Sequence, residues 1–327
     1  MKICLNLLMD INLEDNAIQP CCNVFDIKVP SYPFSGLPSE VEGYFEYIID
    51  SIHNLQTDTD LCKGCNFLID VDIKKDINAL KSSICFKTVS INHHRYYCNC
   101  KCVYCDYWHP RKKEKLYSVL PLLKTLVHQN RLAPQCSISW GGGESTILKE
   151  FDEASAWLTA KGYTQLVHSN ALLYSKGITS LLKSGKGDVN VSLDSGTKET
   201  YYKIKGRDHW DKVIENLTEY SKACAKPDQL ELKYIVFEQN NNFDEIELFF
   251  QLCLRLNVKK VNYSLDFREV NANAISKQTF IATAFFRKRA EELNILARPF
   301  YINAQLIQEI DVYQKHYFQS GEPYAKP

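Results

Sequence analysis

Cys98-Asn-Cys-Lys-Cys102-Val-Tyr-Cys105 sets three cysteines at C-x3-C-x2-C spacing, about a third of the way along a 327-residue chain. Three thiolates this close can hold three irons of a cubane cluster and leave the fourth iron open to a ligand. Structural cluster and zinc sites use four protein ligands, so a triplet with a vacancy points to chemistry. Downstream, Trp140-Gly-Gly-Gly-Glu144 offers glycines that let a backbone approach a bound molecule closely. The same triplet can also be read as a zinc site completed by His93 or His94, or as a cluster that only carries electrons.

A second constellation lies near the amino terminus. Cys4, Cys21, Cys62 and Cys65 make four thiols, two of them in a C-x2-C knuckle, and Cys22 can exchange roles with Cys21. Four thiolates suit a fully coordinated four-iron cluster or a structural zinc; the alternative is that they hold no metal. The chain has 13 cysteines, and Met1 to Leu8 is too short an apolar run for an export signal. A cytoplasmic protein with reduced thiols is therefore expected, with metal binding by the clustered ones. Cys85, Cys136, Cys224 and Cys253 fall in strand or helix patterns and read as small buried hydrophobes.

Positioning such groups takes a large framework, and the composition allows one: 45% hydrophobic, 12% aromatic, with Lys+Arg and Asp+Glu both 39. No basic excess invites nucleic acid, and no apolar stretch approaches a membrane span. Strands are expected at 86–91, 137–140, 165–168, 189–193, 230–237 and 261–265. Helices are expected near 115–129, 149–161, 175–184, 208–224 and 243–256. Upstream, Ser39 and Glu42 form a capping-box pattern for a helix over 39–54. Six strands alternating with helices imply parallel βα units. The fold class is α/β, a partial (β/α)6 TIM-like barrel. It spans 84–270, between a Cys-rich region at 1–83 and a helical extension at 271–327, with helices about 277–296 and 303–318. Sites in such folds gather at the carboxyl ends of strands.

The triplet, the Tyr104-Cys105 pair and the Gly-Gly-Glu turn resemble the radical SAM superfamily over roughly residues 84 to 270. The resemblance implies a [4Fe-4S] cluster on Cys98, Cys102 and Cys105, with S-adenosylmethionine chelating the open iron. Cys100 stands where relatives carry an apolar residue, which implies packing. Gly142, Gly143 and Glu144 would meet the methionine amino group, with Ser145 replacing the usual proline. Tyr104 would pack on adenine, Ser192 and Asp194 would meet ribose hydroxyls, Asn170 would line the pocket and Arg207 would reach the carboxylate. The amino-terminal cysteines look like a SPASM-type auxiliary cluster region, placed before the barrel rather than after it.

By that resemblance the chain is an oxidoreductase that makes a 5′-deoxyadenosyl radical and takes hydrogen from a substrate carbon. The product would be an oxidised or cross-linked peptide or protein side chain, or an oxidised carbohydrate or other small molecule. A flavodoxin- or ferredoxin-like donor would supply electrons. Lys233 on the fifth strand and Asp266 after the sixth are the candidates for moving a proton, with Tyr234, Arg268 and Glu269 nearby. A non-catalytic iron or redox sensor is the competing class, which the Gly-Gly-Glu and Ser-x-Asp pattern argues against.

Overall fold

The computed structural model describes residues 1–20, 31–58, 62, 65–71, 77–105 and 116–318. The chain divides into two compact units, Met1–Tyr97 with Pro110–Val167, and Cys98–His109 with His168–Pro327.

The first unit opens with β1 (Lys2–Cys4), α1 (Leu5–Met9), β2 (Asp10–Leu13), β3 (Ala17–Gln19), β4 (Tyr32–Pro33), α2 (Val41–Asn54) and β5 (Leu68–Asp70). It continues through β6 (Phe86–Ile91), α3 (Val119–His128), β7 (Leu132–Trp140), α4 (Phe151–Ala160) and β8 (Thr164–Ser169), whose end crosses into the second unit. β6, β7 and β8 pair in parallel. β2 pairs in parallel with β6, Ile11 opposite Val89, so backbone pairing crosses residue 83. β3 and β4 extend that edge antiparallel. β1 and β5 form a separate antiparallel ribbon, with Cys4 opposite Leu68.

The expected cap of α2 is corrected. The N-cap position is Glu40, preceded by a 3-10 turn over Pro38–Glu40, and no side chain caps it. Glu42 instead pairs with Lys81, and Glu40 accepts hydrogen bonds from Ser35. Proline at the first position of that turn supplies a backbone already set for helical φ. Leu122, Leu123 and Leu126 of α3, Phe151, Ala154 and Leu158 of α4, and Val89, Ile138 and Trp140 of the strands are buried.

The second unit contains α5 (Lys176–Ser184), β9 (Gly187–Ser192), α6 (Lys198–Lys205), α7 (Trp210–Ala223), β10 (Leu230–Val236) and α8 (Phe243–Arg255). After these come β11 (Lys260–Leu265), α9 (Phe267–Asn271), α10 (Lys277–Glu292), β12 (Leu296–Pro299) and α11 (Ala304–Phe318). β9, β10, β11 and β12 run parallel in that order. Ser175, Thr197, Asn242 and Ser276 cap the helices that follow them, each accepting from a backbone N–H three residues on.

The alternation of β10 divides its side chains between two faces. Leu232, Tyr234 and Val236 face the helices, where Tyr234 packs against Phe249 at 4.8 Å and Phe286 at 5.4 Å between ring centres. Glu231, Lys233 and Ile235 lie on the other face, level with Asn190 and Ser192 of β9 and with Lys260, Asn262 and Ser264 of β11. Most of that inner face is polar yet buried, and Glu231 takes a salt bridge from Lys260 and a hydrogen bond from Asn262.

A further correction falls at residues 277–296. The helix stops at Glu292, Asn294 takes a left-handed φ of 53°, and 296–299 is a strand. Apolar residues run through this stretch without showing where the helical period ends; the asparagine ends it, because its short polar side chain tolerates positive φ. Among the described residues no helix is long and apolar enough to cross a membrane.

Candidate active site

The cysteine loop belongs to the second unit, and that unit's own residues hold it. The Lys101 amide donates to the Lys205 carbonyl at 2.9 Å, and the Val103 amide donates to the Ile204 carbonyl at 2.9 Å. The loop thus lies along the last turn of α6, which ends at Gly206 with φ +63°. A Cβ at Gly206 would press on the Lys101 carbonyl oxygen at 3.0 Å, so glycine permits both the left-handed cap and the close approach. Arg207 Nε donates to the Asn99 carbonyl at 2.8 Å, and Arg268 Nη1 donates to the Val103 carbonyl. Val103 and Tyr104 pack on Ile204, Ile235 and Phe237.

Two hydrogen bonds reach the first sulfur: the Cys100 amide at 3.5 Å and Asn170 Nδ2 at 3.7 Å from Cys98 Sγ. Asn170 also donates to Asn99 Oδ1 at 2.6 Å. Donors aimed at sulfur suit a thiolate that carries metal charge, and they tune clusters that such thiolates hold. Cys98, Cys102 and Cys105 are half-buried, whereas Cys100 is 2% exposed. A hydrogen bond from the Cys100 thiol, helped by the Lys205 ammonium, pulls Cys102 down to about 6. The donor set therefore fits an iron–sulfur cluster. Among the described residues no three His, Cys, Asp or Glu side chains converge on one ion. A cubane spreads its three thiolates over separate irons and needs no such convergence.

Behind the loop lies a group that the sequence did not reveal. Lys205 is fully buried and bridges the Asp194 carboxylate and the Tyr104 hydroxyl, the latter at 2.7 Å. Tyr104 donates to Asp194 Oδ2 at 2.6 Å, and Asp194 Oδ1 accepts the Ile235 amide at 2.8 Å. Burial alone would lower the Lys205 pKa; Asp194 and Cys102 reverse this and raise it. The tyrosine hydroxyl and both carboxylate oxygens thus have partners within the protein and help to hold the loop. Arg207 likewise holds the loop through Asn99. Ser192 ends β9 half-buried, on the face it shares with Lys233.

Lys233 lies mostly buried over the Phe300 ring at 4.8 Å, and burial lowers its pKa. Among the described residues it has no carboxylate partner. His168 flanks the same ring at 6.4 Å and is held near 4, by burial first and by Lys233 second. Asp266 does not stand free as a base. It caps α9 by accepting the Arg268 amide at 2.9 Å and pairs with the Arg268 guanidinium, because it is the last extended residue before a helix.

The glycine turn lies in the first unit. Gly142 has φ +83°, and a Cβ on Gly143 would overlap the carbonyl oxygens of Tyr97 and His94. The Glu144 amide donates to the Tyr97 carbonyl at 2.8 Å, one residue before Cys98. The Glu144 side chain accepts from Thr146, N–H at 3.3 Å and hydroxyl at 2.7 Å. Ser145, which replaces the usual proline, meets His94 Nε2 at 3.0 Å with both groups buried. Burial lowers His93 to about 4 and His94 to about 3, which leaves both rings neutral.

At the amino terminus, β1–β5 pairing sets Cys4 near the knuckle. The Cys65 amide donates to the Cys62 carbonyl, and the Leu5 amide to the Phe67 carbonyl. Cys21 and Cys22 lie outside the described residues. Of the other cysteines, Cys136 and Cys253 are buried, and Cys85 and Cys224 are half-buried.

Comparison with known proteins bears on this parallel α/β framework and on its C-x3-C-x2-C loop. Residues 93–252, just under half of the chain, match the Radical SAM superfamily, so the chain contains a Radical SAM domain. It is 25% identical over 197 residues to a probable GTP 3′,8-cyclase of Sulfurisphaera tokodaii, covering 57% of this chain and 60% of the relative's length. It is 29% identical over 159 residues to GTP 3′,8-cyclase of Helicobacter pylori, 46% of this chain and 47% of that one. The chain therefore spans less than two thirds of either relative.

Among solved structures, Streptococcus suis SuiB bound to precursor peptide SuiA superposes with a TM-score of 0.54 at 15% identity, over 83% of this chain and 65% of SuiB. anSMEcpe with bound AdoMet gives 0.51 at 18% identity, over 65% of this chain and 64% of that one. These likenesses establish the fold class, an α/β TIM-like partial barrel.

Proposed function

We propose that this protein is a radical SAM enzyme that carries a [4Fe-4S] cluster on Cys98, Cys102 and Cys105 and acts on a peptide or protein side chain. The observation that carries the proposal is the loop itself: three half-buried cysteines on a backbone pinned by Lys205, Ile204, Arg207 and Arg268, with donors aimed at Cys98. When bound, the cluster would supply the electron for reductive cleavage of S-adenosylmethionine, the radical chemistry by which hydrogen would be taken from a substrate carbon. Gly142 and Gly143 let the turn pack closely on the segment leading into Cys98, and Ser192 would offer a hydroxyl to ribose. Asn170 orients Cys98. Lys233, whose pKa burial lowers, is placed to exchange a proton with substrate.

A small-molecule substrate is the second reading. The Lys233 amine favours it, since among the described residues it makes no ion pair with a carboxylate, and a mostly buried amine so placed suits an anionic ligand. The GTP 3′,8-cyclase relatives point the same way. Cys4, Cys62 and Cys65, with Cys21 from outside the described residues, would hold an auxiliary cluster that accepts the substrate electron. The reducing cytoplasm suits such thiols, and a flavodoxin- or ferredoxin-like protein would deliver the first electron.

Anaerobic reconstitution followed by dithionite and S-adenosylmethionine tests the proposal. The expected product is 5′-deoxyadenosine, abolished by Cys98→Ala and largely kept in Cys100→Ala. Iron near eight per chain, falling to about four when Cys62 and Cys65 are replaced, is expected for two clusters. A full cluster that yields no 5′-deoxyadenosine would identify a sensor instead, and one zinc beside a single cluster would remove the auxiliary assignment.

A further inference from the structure

We propose that Lys205 is a positioning residue whose ammonium is the counter-charge shared by Asp194 and the cysteine loop, fixing that loop in the shape that retains the cluster. The inference rests on the reading of the loop as a cluster site.

Three observations carry it. First, the Lys205 and Asp194 side chains are both 0% exposed, and neither charge has water to lean on. A buried charge without a partner is far more costly than a paired one. Second, the pair is wired to the loop twice. Through its side chain, Lys205 holds Tyr104, one residue before Cys105, by the hydroxyl at 2.7 Å and across the ring face at 5.3 Å. Through its main chain, its carbonyl receives the Lys101 amide, one residue before Cys102. Third, Asp194 adopts φ +60°, a left-handed backbone that its short polar side chain tolerates, and its second oxygen is spent on the Ile235 amide. The left-handed turn after β9 is thus held by the same contacts that hold the loop.

The charges decide the consequence. Cysteines that ligate iron do so as thiolates, so a loaded loop brings negative charge beside a buried carboxylate. Lys205 is the cation beside both. Without it, Asp194 and the Cys102 thiolate would repel across a site with little solvent; with both charges removed, the repulsion disappears.

The test compares the full chain with Lys205→Met and with Lys205→Met/Asp194→Asn. In protein without iron, hydrogen exchange at the Lys101 and Val103 amides should rise tenfold or more in Lys205→Met. After anaerobic reconstitution, the half-life of bound iron against a chelator should fall tenfold or more, and the electron paramagnetic resonance signal of the reduced cluster should change shape. The double variant should recover most of the iron half-life, a rescue that a role in shape alone would not give. Wild-type exchange and iron retention in Lys205→Met would overturn the proposal, as would a double variant no better than the single one. Should Lys205→Met fail to fold, the double variant carries the test: cluster retention near wild type supports the proposal and its loss overturns it. A wild-type chain that takes up no iron would sink the cluster reading, while the exchange measurement still decides the role of Lys205.

Discussion

Replacing Gly143 by alanine would put a methyl group into the carbonyl oxygens of Tyr97 and His94, both backbone atoms that cannot rotate away. The segment that must yield is the one leading into Cys98. Gly143→Ala should therefore lower iron retention as well as 5′-deoxyadenosine formation, whereas loss of the product alone with iron unchanged would show that the turn acts only on the bound ligand. The cysteine spacing and the Gly-Gly-Glu order were legible because both are local in sequence. The partners of Tyr104 and Asp194 were not. Tyr104 bonds a carboxylate 90 residues away and an ammonium 101 residues away, and no local pattern marks Lys205 as different from the lysines around it. Ser145 meets His94 from 51 residues away for the same reason.

Among the described helices, α10 has the most buried residues. Phe280, Ile281, Ala282, Ala284, Phe285 and Phe286 are all buried, because the strands lie on one side and α11 on the other. Phe286 sits among Tyr234, Phe249, Phe250 and Tyr263 at ring separations from 4.7 to 5.8 Å. Phe286→Ala should cost about 3–5 kcal/mol of stability, read as a lower denaturant midpoint, since a large cavity would open in a close-packed cluster. An unchanged midpoint would mean that the ring cluster contributes little. The helix itself was readable from its apolar run, but its end was not. Apolar residues continue past Glu292 into β12, and the periodic signal cannot show that Asn294 turns left-handed there.

At the scale of the molecule, buried histidines set an acid limit. Burial lowers His93 and His168 to about 4 and His94 to about 3, from an ordinary value of 6.5. The unfolded chain takes up these protons below 6.5 while the folded chain does not. The stability present above pH 6.5 is therefore lost as pH falls toward 4, at about 1.4 kcal/mol per pH unit for each histidine. His93→Phe should flatten the fall in melting temperature between pH 6.5 and 4.5 by one group's share, and an unaltered slope would show that His93 is protonated in the fold.

The amino-acid sequence by itself determined that this chain alternates strands and helices and presents a cysteine triplet and a glycine turn after particular strands. These follow from periodicity and spacing along a few consecutive residues. Only the tertiary structure decided what Tyr104, Asp194, Arg207 and Asp266 touch. A polar side chain at a strand end takes whichever partner the fold brings within hydrogen-bond reach, and a buried charge requires one. Here the fold brought Lys205 to Asp194, a pairing between two elements that no local pattern in the sequence marks.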